Sequence, residues 1–315
     1  MSFFDFRTPT EKFDAALIDL YDLQYHEGMN LLELKEIGRT SGFGSKKSTT
    51  RSASYKLILK LDRKDRDLPS WNNKEVESVQ IDVEHQDDVA SRAFNFEENE
   101  RFFKDDKDLD DARTKVTSMI RRILLSEDMY DIEYNRHIID VYCFFYVVFD
   151  DEIETYNMLM KFLRDFYGIL LLNRQTYKTN YHVSILKNVL RQVDSSLLAF
   201  LENNFDNFEF FDDYLLKLPG KTLEQMMRRF DFVVSTDFNV AYYILAVKLR
   251  KHKEMIMDNT MDLVYSMNHA LDEAEDVELW EVAWNEFKNH NGDKTTESMM
   301  PFRKQDDVSI KYNFY

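Results

Sequence analysis

Hydrophobic residues recur at helical spacing along most of the chain. In the segment 109–127, "LDDARTKVTSMIRRILLSE", apolar side chains fall every three or four positions and share one face. The segments 13–27, 182–204 and 223–237 show the same spacing. Alternation typical of strands is not sustained anywhere, and no repeat period is visible. The pattern therefore predicts an all-α protein, with stacked helices joined by short loops.

One predicted helix differs from the others because it is apolar nearly all round. It covers 137–149, "HIIDVYCFFYVVF", a composition typical of a helix buried at the centre of a protein. Its longest apolar run, Val141–Phe149, is too short for a bilayer, which needs about 20 residues. The N-terminal residues also lack the basic flank and apolar stretch of a signal peptide. We expect no transmembrane segment and a cytoplasmic protein.

The composition supports this architecture and excludes several function classes. Hydrophobic residues make up 44% of the 315 residues, while only seven Gly and four Pro punctuate the chain. The net charge of −17 opposes binding to phosphate backbones, so nucleic acid is not an expected partner. The single cysteine, Cys143, rules out an internal disulfide. The seven histidines are scattered without metal-ligand spacing, so no metal and no cofactor are predicted.

The domain organisation follows from the same pattern. We predict one helical domain over 13–290, a tail over 1–12 and a second tail over 291–315. Two polar stretches, 38–52 and 95–108, are predicted to be mobile loops. One segment, 46–66, carries eight basic residues against two acidic ones. It is interpreted either as a solvated helix face or as a docking patch for an acidic partner or a lipid surface.

Two segments resemble parts of the TBC domain, the fold of GTPase-activating proteins (GAPs) for Rab-type small GTPases. In 208–256, Phe230-Asp231 stands where the family has Trp-Asp, and Asp237 stands where a glycine usually falls. In "TTRSASYKLILKL", Arg51 and Tyr55 fill the places of the Arg and Trp in an early Arg-x-x-x-Trp helix. The resemblance covers roughly 15–285 and implies a single TBC-like domain of stacked helices. The chain length is also similar to that of short fungal TBC proteins that control mitotic exit.

The resemblance implies a candidate arginine finger. TBC proteins carry Ile-x-x-Asp-x-x-Arg, usually followed by Thr-Phe. The stretch "QDDVASRAF" keeps Arg92 and Phe94 in similar order, while Gln86 and Val89 replace the Ile and Asp. A slip of one residue would let Asp88 take the acidic role. Arg92 is thus the candidate catalytic group, and Phe94 is a candidate contact with the GTPase.

Two other interpretations of this stretch remain open. A rival register, "IDVEHQD", matches Ile81 and Glu84 to the motif and places Asp87 where the finger belongs, which would abolish catalysis. Alternatively, Arg92 is an ordinary surface arginine.

The second finger of the family is replaced. TBC proteins supply a glutamine from Tyr-x-Gln-Gly to orient the attacking water, and this chain has Tyr134, Asn135, Arg136 and His137. Arginine has only donors, so Arg136 cannot hold a water as an amide does, although it offers an extra charge for phosphate. Asn135 is an amide one position away, and Tyr134 is a candidate GTPase contact. His137 adds a side chain where a close backbone approach is expected.

Three functions follow from this resemblance and these replacements. The first is a regulator that binds a small Rab-like GTPase with weak or absent GAP activity, through binding alone or as a subunit of a larger complex. The second is an active GAP that uses Arg92. In both cases the partner brings the GTP and Mg²⁺, and the chain activates hydrolysis rather than performing it. The third is a helical adaptor with no GTPase contact. A Rab-type partner would place the chain in vesicle trafficking or the cell cycle, peripherally on endomembranes or spindle poles.

Overall fold

The computed structural model describes residues 31–44, 49–59, 73–95, 103–130, 134–163, 181–205, 207–216 and 222–291. These ranges contain helices and no strand, so the all-α prediction is confirmed for them. The helices are α1 (Leu31–Thr40), α2 (Thr49–Ile58), α3 (Asn73–Ser78), α4 (Val83–Arg92), α5 (Asp106–Tyr130), α6 (His137–Phe149), α7 (Glu152–Phe162), α8 (Tyr181–Val193), α9 (Ser195–Asn204), α10 (Asp212–Leu216), α11 (Leu223–Ser235), α12 (Val240–Lys251), α13 (Lys253–Asp258), α14 (Leu263–Asp272) and α15 (Val277–Asn291). Short 3₁₀ turns, Phe208–Phe211 and Thr260–Asp262, precede α10 and α14.

Acidic and hydroxyl side chains fix where several helices begin. The carboxylates of Asp82, Asp151 and Asp194 accept backbone N–H groups at the starts of α4, α7 and α9. Thr222 and Gln225 form a reciprocal capping box at α11. Each cap satisfies a backbone donor that has no partner inside its helix, which stabilises the helix by about 1 kcal/mol.

Two hydrophobic clusters meet at α11. The first surrounds α6, where Phe144 and Phe145 are fully buried and pack against Phe230 of α11. The second surrounds α12 and includes Phe232, also from α11. As predicted, the apolar segment 137–149 is a buried helix, since nine of the α6 residues are buried. Because α11 contributes to both clusters, it holds the two halves of the described structure together.

A buried ion pair fastens α2 to α11 inside the first cluster. Asp231 has no solvent exposure, and its two carboxylate oxygens accept the Nε and Nη2 of Arg51, each at 3.0 Å. The hydroxyl of Tyr55 donates to Asp231 at 2.6 Å and the backbone N–H of Phe43 at 3.0 Å. The side chains that the sequence matched to two separate family motifs are thus in direct contact.

The turn after α1 brings the backbone against this ion pair. Gly42 has φ +77°, and a Cβ there would lie 2.9 Å from the Asp231 carboxylate. Glycine is therefore required both for the left-handed conformation and for the close approach. The neighbouring Phe43 is only 1% exposed.

The described part of the predicted loop 38–52 is consequently not a loop throughout. Residues 38–40 complete α1 and residues 49–52 begin α2, because burial of the intervening turn against α11 fixes both helix ends. In the predicted loop 95–108, α5 already begins at Asp106, with the Asp105 carboxylate accepting the N–H of Asp108 at 2.9 Å. The predicted helix 13–27, the tail 1–12 and the tail beyond Asn291 lie outside the described residues.

The basic segment 46–66 does not present all its charges to solvent. Of its described cations, Arg51 is 5% exposed and paired with Asp231, while Lys56 is 9% exposed and paired with Glu154. Burial removes both from any lipid or acidic partner. The prediction of a docking patch is therefore wrong for these two residues, and the remaining cations lie outside the described residues.

A second buried polar group lies where α11, α12 and α15 meet. Glu275 accepts the Nε of Arg229 and the indole N–H of Trp280, both at 2.8 Å, and also the hydroxyl of Tyr214. Lys248 lies 3.8 Å from the same carboxylate. Burial opposes ionisation of Glu275, but the charges of Arg229 and Lys248 hold its pKa below the ordinary value. This network lines the groove described below.

Among the described helices, no single one is long and apolar enough to cross a membrane. The consecutive helices α11 and α12 reach the required length and composition only together, and they are bent by 120° at their junction.

The turn between α11 and α12 contains a buried carboxylate whose replacement should stabilise the protein. Asp237 is 3% exposed and accepts the backbone N–H and side-chain amide of Asn239 at 2.8 and 3.0 Å. Burial raises the pKa of Asp237, although the bonds from Asn239 act in the opposite direction. Asp237→Asn keeps an acceptor oxygen without the buried charge. We expect it to stabilise the protein by about 1 kcal/mol at pH 7, raising Tm by about 2–4 °C.

The pH dependence follows from the direction of that shift. Because the folded-state pKa is raised, ionisation of Asp237 costs stability above it, and the cost disappears below the unfolded pKa of about 3.9. Thermal melts should therefore show Asp237→Asn and wild type converging as the pH falls to that range. Exposed Asp111→Asn is the matched control with the same charge change. A lower Tm for Asp237→Asn at pH 7 would contradict the prediction.

Candidate functional site

Arg92 is the last residue of α4, and its side chain points to the start of α6. After it, Ala93 adopts an extended conformation and Phe94 a left-handed one with φ 55°. Phe94 has no solvent exposure, and its ring packs 5.0 Å from Phe103 and 5.6 Å from Tyr146. Phe94 was predicted to contact a GTPase, and this is wrong for the described conformation because the ring has no exposed surface. It instead anchors the chain immediately after Arg92.

The guanidinium of Arg92 is bound to α6 through one amino group. Its Nη1 donates to the Oδ2 of Asp140 at 2.8 Å and lies 3.4 Å from the Nδ1 of His137. The side chain of Arg92 is 24% exposed, and that of Asp140 is 22% exposed. Arg92 is therefore neither a free surface arginine nor a fully buried structural one.

His137 connects this pair to a second carboxylate. Its ring is buried, with Nδ1 3.3 Å from Asp140 and Nε2 3.1 Å from Asp213. In the neutral form, Nε2–H donates to Asp213 and Nδ1 is able to accept from Arg92, whereas the protonated form donates to both carboxylates. Arg136 is half-exposed, and its Nη2 lies 3.5 Å from the other oxygen of Asp213. Both candidate arginines thus belong to one charged cluster, made of Arg92, Arg136, His137, Asp140 and Asp213, which we call the finger cluster.

Asn135 and Tyr134 shape the start of α6. The side-chain oxygen of Asn135 accepts the backbone N–H of His137 at 2.9 Å, which satisfies a donor at the start of α6. The hydroxyl of Tyr134 donates to Asp88 of α4 at 3.1 Å, and its ring lies 4.5 Å from His85. Burial, with the nearby Asp88 charge, raises the pKa of Tyr134 well above the usual range. Tyr134 therefore links α4 to the segment that begins α6, two of the elements that carry the finger cluster.

The two registers proposed for the arginine motif place different side chains, Arg92 or Asp87, at the finger position, and these side chains have different contacts. Arg92 contacts α6, as described above. Asp87 is exposed on α4, and the contacts described for it involve only its own helix. Asp88, the alternative acidic residue of the motif, is bound to Tyr134. Of the two candidate residues, Arg92 is the one described in contact with α6, and the register of the motif stays a prediction.

A groove of about 980 Å³ opens beside the finger cluster. Arg92, Asn135 and His137 line one end, and the segments around α10 and between α14 and α15 line the rest. Among the described residues that line it, two are basic, Arg92 and Lys248, and six are acidic: Glu209, Asp212, Asp213, Asp272, Glu273 and Glu275. Asp213, Glu273 and Glu275 each form an ion pair with an arginine or a lysine, which offsets much of this negative charge. An anion in the groove would be favoured beside the partly exposed Arg92.

Lys248 is not free to meet a ligand in the groove. It is 2% exposed and donates to the backbone carbonyls of Leu271, in the last turn of α14, and of Glu273, just after it, at 2.7 and 2.6 Å. Burial lowers its pKa. Its role is to satisfy backbone acceptors at a helix end.

Sequence analysis missed Asp140 and Asp213. Asp140 is the one acidic residue in α6, which was a usable signal, since a carboxylate in a buried helix needs a partner. Asp213 carried no such signal, because only the packing of α10 brings it to His137. Within the described residues, no group of three His, Cys, Asp or Glu side chains is arranged to hold a metal ion. Cys143 is buried, which raises its thiol pKa and makes it unreactive.

Comparisons with known proteins support the architecture. No family profile matches the chain, and no curated protein sequence matches it. Among solved structures, the crystal structure of the Chlamydomonas flagellar RabGAP TBC domain is similar with a TM-score of 0.57 and 14% identity. The match covers 88% of this chain and 92% of that one. The chain therefore has a TBC-like fold, as the resemblance implied. The narrower likeness to fungal mitotic-exit proteins is not supported.

Proposed function

We propose that this protein binds a small Rab-like GTPase at the finger cluster and stimulates its GTP hydrolysis weakly or not at all. One observation carries the proposal: within a TBC-like fold, Arg92 and the segment from Tyr134 to His137 lie at one site, beside an open groove. The GTPase would bring the GTP and Mg²⁺, and the chain would contribute only side chains. A Rab-type partner would place it in the cytoplasm and in vesicle trafficking.

Arg92 has the chemistry that such a site requires. As a phosphoryl group is transferred, charge spreads over its oxygens, and a guanidinium supplied in trans stabilises that charge. Arginine suits the task because it is planar, always charged and weakly hydrated. In GTPases such a finger accelerates hydrolysis by about 10³–10⁵-fold. Arg92 is partly exposed to the groove, and its described contacts use only one of its nitrogens.

The water-orienting group is what the site lacks. Arg136 offers donors only, and it already lies near Asp213. The oxygen of Asn135 already accepts the backbone N–H of His137, so orienting a water with it would compete with that bond. The buried ring of His137 fills the space that a glycine would leave open. We therefore favour a binding role, alone or within a larger complex, over an efficient activator.

The proposal predicts binding with little catalysis. Against a panel of purified Rab GTPases, at least one should bind the full chain more tightly in the GTP-analogue form than with GDP, as measured by calorimetry. Single-turnover hydrolysis of that GTPase should rise by less than about tenfold at saturation. Arg92→Ala should abolish most of any rise, because Arg92 is the candidate finger whose guanidinium would stabilise the transition-state charge.

The same assay separates the alternatives. Stimulation above about 10³-fold that depends on Arg92 would favour the active GAP, with the GTPase supplying its own glutamine. If no GTPase in the panel binds, the proposal fails and the helical adaptor becomes the better hypothesis. Arg191→Ala, which removes an exposed positive charge outside the finger cluster, controls for the net charge.

A further inference from the structure

We infer that Asp140 is a positioning residue that restrains Arg92 and limits its contribution to GTP hydrolysis. The inference rests on the proposed function, because it explains how the same arginine would act on a bound GTPase. Part of the low GAP activity would then come from the Asp140 carboxylate, and not only from the missing glutamine.

The contact geometry identifies Asp140 as the residue that holds Arg92. The 2.8 Å bond is the shortest described contact of the guanidinium, and it joins a charged donor to a charged acceptor. Both side chains are more than three-quarters buried, so water screens the pair less than it would a surface pair. The buried turn at Phe94 fixes the backbone immediately after Arg92. Arg92 is therefore held at both ends: the turn at Phe94 fixes its backbone, and Asp140 holds its guanidinium.

The charges around Arg92 favour restraint over activation. Besides His137, the finger cluster holds two arginines and two carboxylates, whose formal charges cancel. The rest of the groove adds further carboxylates. A phosphoryl group approaching Arg92 must share the guanidinium with Asp140 and approach that carboxylate's negative charge. Both effects oppose transition-state stabilisation.

His137 reinforces the restraint. Its ring lies against both partners of the ion pair, 3.4 Å from Arg92 and 3.3 Å from Asp140, and Asp213 holds its other nitrogen. This buried ring leaves the Asp140 carboxylate little room to swing away from Arg92. The pair is thus maintained from α4, α6 and α10 together.

Removing the charge of Asp140 should therefore release Arg92. In single-turnover assays with the GTPase identified by the binding panel, Asp140→Asn should raise the hydrolysis rate of the saturated complex by about tenfold. The Kd should change by less than about threefold. Asp140→Glu should restore a slow rate because it restores a carboxylate. Adding Arg92→Ala to Asp140→Asn should remove the gain, and the exposed Asp111→Asn should produce none.

A second measurement needs no GTPase. In protein labelled with ¹⁵N-arginine, a restrained guanidinium rotates slowly and gives resolved Nη–H signals. In the wild type, one of these sets should belong to Arg92. That set should disappear in Arg92→Lys and broaden in Asp140→Asn. Asp140→Ser serves as a second neutral variant if Asp140→Asn does not fold, as judged by its thermal melt.

The outcomes distinguish the inference from the proposed function. If no GTPase binds, the proposed function fails, and the NMR arm still tests whether Asp140 restrains Arg92. If a GTPase binds but neither neutral variant hydrolyses faster than wild type, the inference is wrong and the proposed function stands. Absence of slow Arg92 rotation in the wild type would also overturn the inference.

Discussion

Replacing Asp231 with alanine is expected to lower the free energy of unfolding by about 3–5 kcal/mol, the cost of breaking a buried ion pair. The carboxylate is completely buried and accepts four hydrogen bonds, two from Arg51 and one each from Tyr55 and Phe43. Its removal leaves a buried guanidinium, a hydroxyl and a backbone N–H without this acceptor. Denaturant titration followed by circular dichroism measures the loss.

The partner residue provides the internal check. Arg51→Met alone leaves a buried carboxylate and should also be strongly destabilising. The combination of Arg51→Met with Asp231→Leu removes both charges and should recover a large part of the loss, since apolar replacements of buried pairs are often neutral. Losses that simply add in the double variant would show that the two residues do not act as a pair.

Restoring the family's glutamine is expected to produce the largest catalytic effect. In the double variant Arg136→Gln with His137→Gly, an amide replaces a donor-only side chain, and removal of the imidazole opens the space beside Arg92. With a bound GTPase, the single-turnover hydrolysis rate should rise by about 10²–10³-fold, the range of a well-placed hydrogen-bonding group. Stopped-flow detection of released phosphate measures it.

The single variants divide that gain into its sources. Arg136→Met removes the charge without supplying an amide and should not accelerate hydrolysis. His137→Gly alone tests how much comes from loosening the contacts to Arg92 and Asp140. If the double variant matches His137→Gly alone, the amide contributes nothing, and orientation of water by position 136 is excluded.

Local patterns made much of the fold predictable from the sequence. Periodicity identified the helices, and the uninterrupted apolar run identified α6 as a buried helix, because both signals are carried by residues close together in the chain. The predicted boundaries of the loop 38–52 were wrong because the contact that fixes them joins residues far apart in the chain. Its glycines and serines have the composition of a loop, but Phe43 is held by a carboxylate 188 positions away.

The candidate site was predictable only in part. The order of motifs located Arg92 and the start of α6, and the structure brings them together. The same reasoning assigned Phe94 to a partner, because a motif position does not show which way a side chain faces. Asp140 and Asp213 acquire their role from the packing of three helices, which no single stretch of sequence encodes. Because Asp140 pairs with Arg92, the arginine is not a free surface residue.

The bond between Arg51 and Asp231 also constrains how the protein is made. The two residues are 180 positions apart. At about 5–20 residues per second, a ribosome therefore adds Asp231 roughly 10–40 seconds after it adds Arg51. Throughout that interval the nascent α2 segment has a cation and a tyrosine that lack their eventual acceptor. The first hydrophobic cluster, which includes Leu223, Met227 and Phe230 of α11, therefore cannot be completed until α11 has left the exit tunnel.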